Sequence, residues 1–131
     1  MIVTRIFTAA DGSAQIERRR VPMEPDASGR ATSADLPAVR LFFRDTPPAH
    51  VNPKHRAPQR QLIFVTSGTG EIELSDGTRH RFSPGDVLFA EDTTGEGHVT
   101  RTLEGTRSFA HVPVPDEFDI TRWPLAGPSR A

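Results

Sequence analysis

Gln61-Leu62-Ile63-Phe64-Val65-Thr66-Ser67-Gly68-Thr69-Gly70-Glu71-Ile72-Glu73-Leu74-Ser75-Asp76-Gly77-Thr78-Arg79-His80-Arg81-Phe82-Ser83-Pro84-Gly85-Asp86-Val87-Leu88-Phe89-Ala90 decides the fold. Residues 61–66 are rich in β-branched and aromatic side chains, which fit a pleated, buried surface. Glu71 to Leu74 alternate polar and apolar with period two, the mark of a half-buried strand. Between them Ser67-Gly68-Thr69-Gly70 reads as a tight turn. Asp76-Gly77 supplies the positive φ of a hairpin turn, and Arg79 to Phe82 follow as a short strand. Pro84-Gly85-Asp86 then turns the chain into a buried strand, Val87 to Ala90.

Working outward, His98 to Leu103 alternate again and Phe109 to Val112 close the series. Residues 61–112 are therefore expected to form at least five antiparallel strands, with turns at 67–70, 75–78 and 83–86. Upstream, Val3 to Thr8, Gln15 to Val21 and Val39 to Arg44 read as strands, and residues 24–37 as a polar loop. Twelve prolines and ten glycines leave little room for helix, because proline removes a donor and clashes with the preceding turn. Short strands separated by Gly, Pro and Asp turns predict an all-β sandwich or barrel.

The 131 residues suit a single domain. Its expected parts are N-terminal strands over 2–21, a barrel core over about 39–115, and a C-terminal arm over 116–131. There is no cysteine, so disulfides, thiolate nucleophiles and cysteine-ligated metals are excluded. Sixteen basic and seventeen acidic residues give a net charge of −1, with no bias toward nucleic acid or an anionic membrane. No apolar run approaches the ~20 residues of a membrane span. Met1 to Arg5 lack the apolar core of a signal peptide, so a cytoplasmic location is expected.

The stretch from His50 to Val112 resembles a cupin, the small double-stranded β-helix or jelly-roll barrel. Cupins carry a first motif G-x5-H-x-H-x3,4-E-x6-G and a second G-x5-P-x-G-x2-H-x3-N. Gln61 and Gly68 stand at the spacing of the first motif's Glu and final Gly. Gly85 matches the opening Gly of the second motif, and His98 its histidine. The strings His55-Arg56-Ala57-Pro58-Gln59-Arg60-Gln61 and Glu91-Asp92-Thr93-Thr94-Gly95-Glu96-Gly97-His98 resemble a subgroup of small bacterial cupins. The resemblance also departs from the pattern. Counted five and seven residues before Gln61, the paired histidines fall on Arg56 and Lys54, with His55 one residue out of phase. Pro58 is a means of restoring His55 to the interior. Gln61 replaces the motif's Glu, and Thr102 its Asn.

His98 opens a strand and is expected to face the barrel interior with Thr100, as a general acid/base or a metal ligand. Gln61 alternates with Ile63 and Val65, which places all three on one face, with Phe89 or Leu88 as a further wall. Glu91 and Asp92 are adjacent on a strand end, so at most one enters a pocket and orients or assists His98. His55 is a pocket or loop histidine, and His111 has an ambiguous facing. His80, between two arginines, reads as surface, and Arg60 as pointing opposite to Gln61.

Three functions fit such a barrel. The favoured one is a small-molecule enzyme using proton transfer at His98, Gln61, His55, Glu91 and Asp92, with Ile63, Val65, Phe89, Thr100 and His111 as pocket wall and without the full cupin metal site. The second is a metal-dependent dioxygenase, isomerase or lyase holding a weak divalent transition metal at His55, Gln61 and His98. The third is a binding module that holds a small organic ligand unchanged. A homodimer is expected, with strands 2–8 and 15–21 available to cover or extend a sheet edge.

Overall fold

A computed structural model describes residues 1–127; the last four residues of the expected C-terminal arm lie outside them. The strands in chain order are β1 (Ile2–Thr8), β2 (Ala14–Arg20), β3 (Glu24–Pro25), β4 (Ala31–Thr32), β5 (Phe42–Thr46), β6 (Val51–His55), β7 (Gln61–Glu73), β8 (Arg79–Phe82), β9 (Val87–Ala90) and β10 (His98–Pro113). Eight of them make one sheet in the order β2-β1-β9-β7-β10-β5, with β6 added to β10 and β8 to β7. The sheet wraps an apolar core as the expected jelly-roll barrel. One pairing departs from the antiparallel expectation: β1 runs parallel to β9. The polar stretch 24–37, read as a loop, contains the small β3–β4 ladder.

Two of the three expected turns form. Leu74 donates to Thr78 O at 2.9 Å across the Asp-Gly turn, and Asp86 donates to Ser83 O at 3.0 Å across the second. The third does not form. β7 passes through 67–70 without a break, so residues 61–112 hold four strands, two of them long, instead of at least five. Gly68 is the reason. Its φ is +75°, and a Cβ there would stand 2.5 Å from Thr106 O, so β7 bends tightly against β10 where a turn would have separated them. β10 bends at the same level, with Gly105 at φ +67° and shifted register between Thr102 and Phe109.

These paired bends reset the inward face of both strands. In β7 the buried set is Gln61, Ile63 and Val65 before the bend, then Gly70 and Ile72 after it. In β10 it is His98, Thr100 and Thr102 before, then Arg107, Phe109 and His111 after. An irregularity of one residue exchanges the two faces of a strand. Residues of opposite parity thereby reach the same interior.

The sheet is apolar on both sides. Inside, Ile6, Ile63, Val65, Ile72, Phe82, Leu88 and Phe109 form one cluster. Outside, Val3, Val21, Leu62, Phe89, Phe118 and Ile120 form another, closed by the C-terminal arm. The arm carries a 3-10 turn at Ile120–Arg122, capped by Asp119 accepting from Thr121 N. Arg60 fixes it, donating to Pro115 O at 3.0 Å and to Phe118 O at 2.5 Å. Beyond it, Arg20 donates to Pro124 O and Ala126 to Arg18 O, so the arm covers the edge of β2. No helix among the described residues is long and apolar enough to cross a membrane.

Candidate functional site

The inner faces of β7, β9 and β10, with β6 and the loop after it, surround a cavity of about 320 Å³. Ile6, Ile63, Ile72, Phe82, Leu88 and Phe109 give it an apolar wall. Gln61, His98, Thr100 and His111 reach it as expected, and so does His55. Thr100 is buried two residues after His98 on the same face of β10 and offers the cavity a hydroxyl.

His98 is 6 % exposed, and its Nδ1 lies 2.5 Å from Asp92 Oδ2. Asp92 is fully buried and its other oxygen, Oδ1, has no partner. A carboxylate oxygen accepts, so His98 Nδ1 carries the proton and Nε2 is left as the basic nitrogen. Of the two adjacent acids, Asp92 is therefore the one that turns inward.

Glu91 turns outward, which corrects its place among the candidate catalytic residues. It is ion-paired with Arg5 and, at 3.0 Å, with Arg60. The physical reason is strand alternation: Ala90 faces the cavity, Glu91 the outer network that holds the arm. Arg60 points away from Gln61, as expected, but serves this network.

Phe89 is also misplaced by the sequence reading. It is fully buried in the outer cluster, edge-on to Phe118 at 5.3 Å, while its neighbour Leu88 lines the cavity. Val65 does face inward but packs in the inner core without reaching the cavity wall.

β6 ends at His55, and the ring lies 4.7 Å from that of His98, tilted by 54°. Its Nδ1 donates to Pro53 O at 2.9 Å, which leaves Nε2 as its acceptor. Burial depresses the His55 pKa, and the neighbouring charges of His98 and Arg107 act in the same direction. Gly97 makes this approach possible. Its φ is +75°, and a Cβ would meet His55 O at 2.2 Å.

Gln61 pairs with His111, whose Nδ1 donates to Gln61 Oε1 at 3.2 Å. The His111 ring stacks on Phe42 at 4.7 Å, and its Nε2 is buried without a partner. Burial, with Arg44 nearby, pushes its pKa down to about 4, so the ring is neutral near pH 7. His80 lies outside the cavity, half-buried on β8.

The sequence reading passed over Arg107. It lines the cavity, is 3 % exposed, and donates from Nε to Thr102 Oγ1 at 2.6 Å. The bend in β10 hid it, because its parity is opposite to that of His98 and Thr100.

The metal motif can be tested on these positions. With its shorter spacer, the first motif places its histidines at His55 and Ala57, and both line the cavity. The expected out-of-phase reading is thus corrected: the loop after β6 brings His55 inward. The second histidine is nevertheless an alanine, the carboxylate is Gln61, and the Gln61 carbonyl is taken by His111. Among the described residues no three His, Cys, Asp or Glu side chains converge. Two imidazoles do not fit a firm divalent site, which takes three or four protein ligands.

No protein of curated function matches the sequence significantly. Several solved structures are similar. A conserved protein of unknown function from Streptococcus pyogenes has a TM-score of 0.47 at 15% identity, over 64% of this chain and 71% of that one. KdgF from Halomonas sp. has 0.44 at 22%, over 86% and 88%. A cupin superfamily protein from Desulfitobacterium hafniense DCB-2 has 0.42 at 13%, over 73% and 95%. The family model described as a cupin domain matches residues 42–107, just over half of the chain and the part that carries β5 to β8, β9 and most of the cavity. The chain belongs to the cupin family.

Proposed function

We propose that the cavity is the active site of a small-molecule enzyme that works by proton transfer, with His98 as the acid/base. The carrying observation is the buried contact between His98 Nδ1 and Asp92 Oδ2 at 2.5 Å. A carboxylate on one ring nitrogen fixes the tautomer and stabilises the imidazolium formed when the other takes a proton. Nε2 makes no hydrogen bond to the described residues, so it is available to a ligand. The reaction class that follows is removal of a proton from carbon or oxygen and its return elsewhere, as in isomerisation, elimination or ring closure.

The surroundings support this role. His55, held neutral by burial, offers a second nitrogen 4.7 Å away ring to ring. The Gln61–His111 pair supplies an acceptor at Nε2 deep in the wall. The apolar wall lowers the local dielectric for a bound ligand, which strengthens each polar contact made inside. The chemistry as proposed needs no metal, in keeping with the incomplete donor set.

The test is hydrogen exchange. Wild-type protein and His98→Asn are incubated in D2O with a panel of small carbonyl compounds, and C–H exchange is followed by proton NMR. Exchange catalysed by the wild type and lost in His98→Asn is the expected result. Exchange unaffected by the substitution overturns the assignment, and binding without any exchange points to a ligand-holding module.

We also propose that two copies pair through the β5 side of the sheet. The β2 edge is covered by the chain's own arm, whereas Val39, Leu41, Phe43 and Val51 stand exposed around β5 and β6.

A further inference from the structure

Arg107 is a buried cation without an anion. Among the described residues its guanidinium has one hydrogen-bond partner, the Thr102 hydroxyl, bound through Nε, and it lies over the Phe109 ring at 5.5 Å. Its two terminal nitrogens make no hydrogen bond there, and no carboxylate lies within salt-bridge distance. Four of the five other partly buried arginines among the described residues are treated differently, Arg18 being the exception. Arg5 pairs with Glu17 and Glu91, Arg19 with Glu17, Arg60 with Glu91, and Arg101 with Glu73. Burial lowers the Arg107 pKa from its ordinary value, with no acidic neighbour acting against it. An ion taken out of water without a partner is costly, and it persists where a ligand completes the pair.

The cavity wall repeats the imbalance. It carries Arg44, Arg56 and Arg107 but no Asp or Glu, in a chain whose net charge is −1. Arg56 is already engaged, donating to Gly95 O at 2.6 Å. Arg44 lies at the exposed rim over the Phe42 ring, placed to attract an anion toward the opening. Arg107 alone is both buried and aimed into the interior. Its Nε bond to Thr102 fixes the plane of the fork and leaves the terminal N–H groups for a ligand.

We propose that the cavity takes a small organic molecule bearing one carboxylate, clasped by the terminal nitrogens of Arg107, with its apolar body against Ile63, Leu88 and Phe109. The planar fork matches a carboxylate's two oxygens in a bidentate pair. A phosphoryl group has three oxygens and up to two charges, and a single buried fork leaves much of that unmet. At about 320 Å³ the cavity lies at the small end of ligand sites. The inference names the substrate class of the proton-transfer site, and rests on that reading for the role of the bound molecule.

The test is calorimetric titration with hexanoate, phenylacetate and cinnamate, each against its neutral amide, and with phenylphosphonate. At least one carboxylate is expected to bind ten-fold or more tighter than its amide. That preference is expected to vanish in Arg107→Gln and to survive within a few-fold in Arg101→Gln, an arginine outside the cavity. Should Arg107→Gln fail to fold, the acid-against-amide comparison on the wild type decides alone. Equal binding of every acid and its amide, or no binding by any acid, overturns the proposal, as does tighter binding of phenylphosphonate than of phenylacetate. A carboxylate preference without proton exchange upholds the inference and overturns the proton-transfer reading, so the two fail separately.

Discussion

Asp92 Oδ2 stands 2.5 Å from His98 Nδ1, and both side chains are shut off from solvent by the barrel. The acid has no other side-chain partner, and its Oδ1 is buried without one. In the proposed mechanism the pair acts as a unit, with Asp92 as the positioning residue and His98 as the group facing the cavity. His98→Asn is expected to lower proton transfer by about 10²–10⁴-fold. Asp92→Asn keeps the shape and loses the charge, and is expected to cost at least about ten-fold. Ring nitrogen-15 NMR checks the mechanism: the wild-type His98 holds its proton on Nδ1, and Asp92→Asn shows a mixed tautomer. Equal rates and an unchanged tautomer in Asp92→Asn would remove the dyad.

Acid weakens the fold through His111. Its folded pKa is pushed down to about 4, below the ~6.5 of an unfolded histidine. Above pH 6.5 both states are neutral and stability does not depend on this group. Between 6.5 and 4 the unfolded chain binds a proton that the folded ring refuses, so stability falls as pH falls, by about 3 kcal/mol in full. Below 4 both states are protonated and the loss levels off. His55 and His80 are lowered by burial too and add slope of the same sign. Urea unfolding across this range should show the decline, and His111→Phe should make it shallower. A slope unchanged by that substitution would contradict the assignment.

The barrel was readable from period and turn chemistry, because antiparallel strands with one wet face alternate openly, as Glu71 to Leu74 do. Where both faces are covered, alternation disappears. Val87 to Ala90 reads as uniformly apolar, so nothing in it tells Leu88, which faces the cavity, from Phe89, which faces the arm. Strand continuity through Gly68 was equally hidden, since a glycine at positive φ serves a turn and a bend alike. That bend also concealed Arg107, whose inward facing depends on a register shift made with β7. The Gly-Glu-Gly loop before His98 carried the best local signal, and Gly97 shows why.

Gly97 lets β6 approach so that the His55 and His98 rings lie 4.7 Å apart. Gly97→Ala places a methyl 2.2 Å from His55 O and holds a side chain at φ +75°. The backbone term alone costs about 1–3 kcal/mol. Gly77→Ala is the control, because its φ is +85° but nothing lies within 4 Å. Chemical denaturation should find Gly97→Ala less stable than Gly77→Ala, with carboxylate binding reduced only in the former. Equal losses in the two would show that the close approach to His55 is not held against strain.

Metal content separates the proposed chemistry from the metal-dependent alternative. Ala57 and Gln61 remove an imidazole and a carboxylate from the motif positions, so protein purified without chelator is expected to carry well under one equivalent of transition metal. Stoichiometric zinc, iron, manganese or nickel by elemental analysis, lost together with activity in His98→Ala, would overturn the metal-free mechanism.

Assembly is set by which sheet edge remains open. The tail beyond the 3-10 turn hydrogen-bonds along β2, so that edge, the one the sequence offered for pairing, is already closed within the chain. β5 pairs only with β10 among the described strands. Its Phe43 is 77 % exposed, and Leu41, Val39 and Val51 lie near it in sequence order, also exposed. An apolar strip on an uncovered edge strand is a site for pairing or aggregation. In the proposed dimer a second copy arranged by two-fold symmetry would close both strips at once. Sedimentation equilibrium at micromolar concentration is expected to give twice the 14.4 kDa chain mass. Phe43→Asp, which puts a charge in the strip but points away from the cavity face of β5, should yield the monomer with carboxylate binding intact. A wild type that sediments only as the single chain would refute the pairing, and a dimer indifferent to Phe43→Asp would move the interface elsewhere.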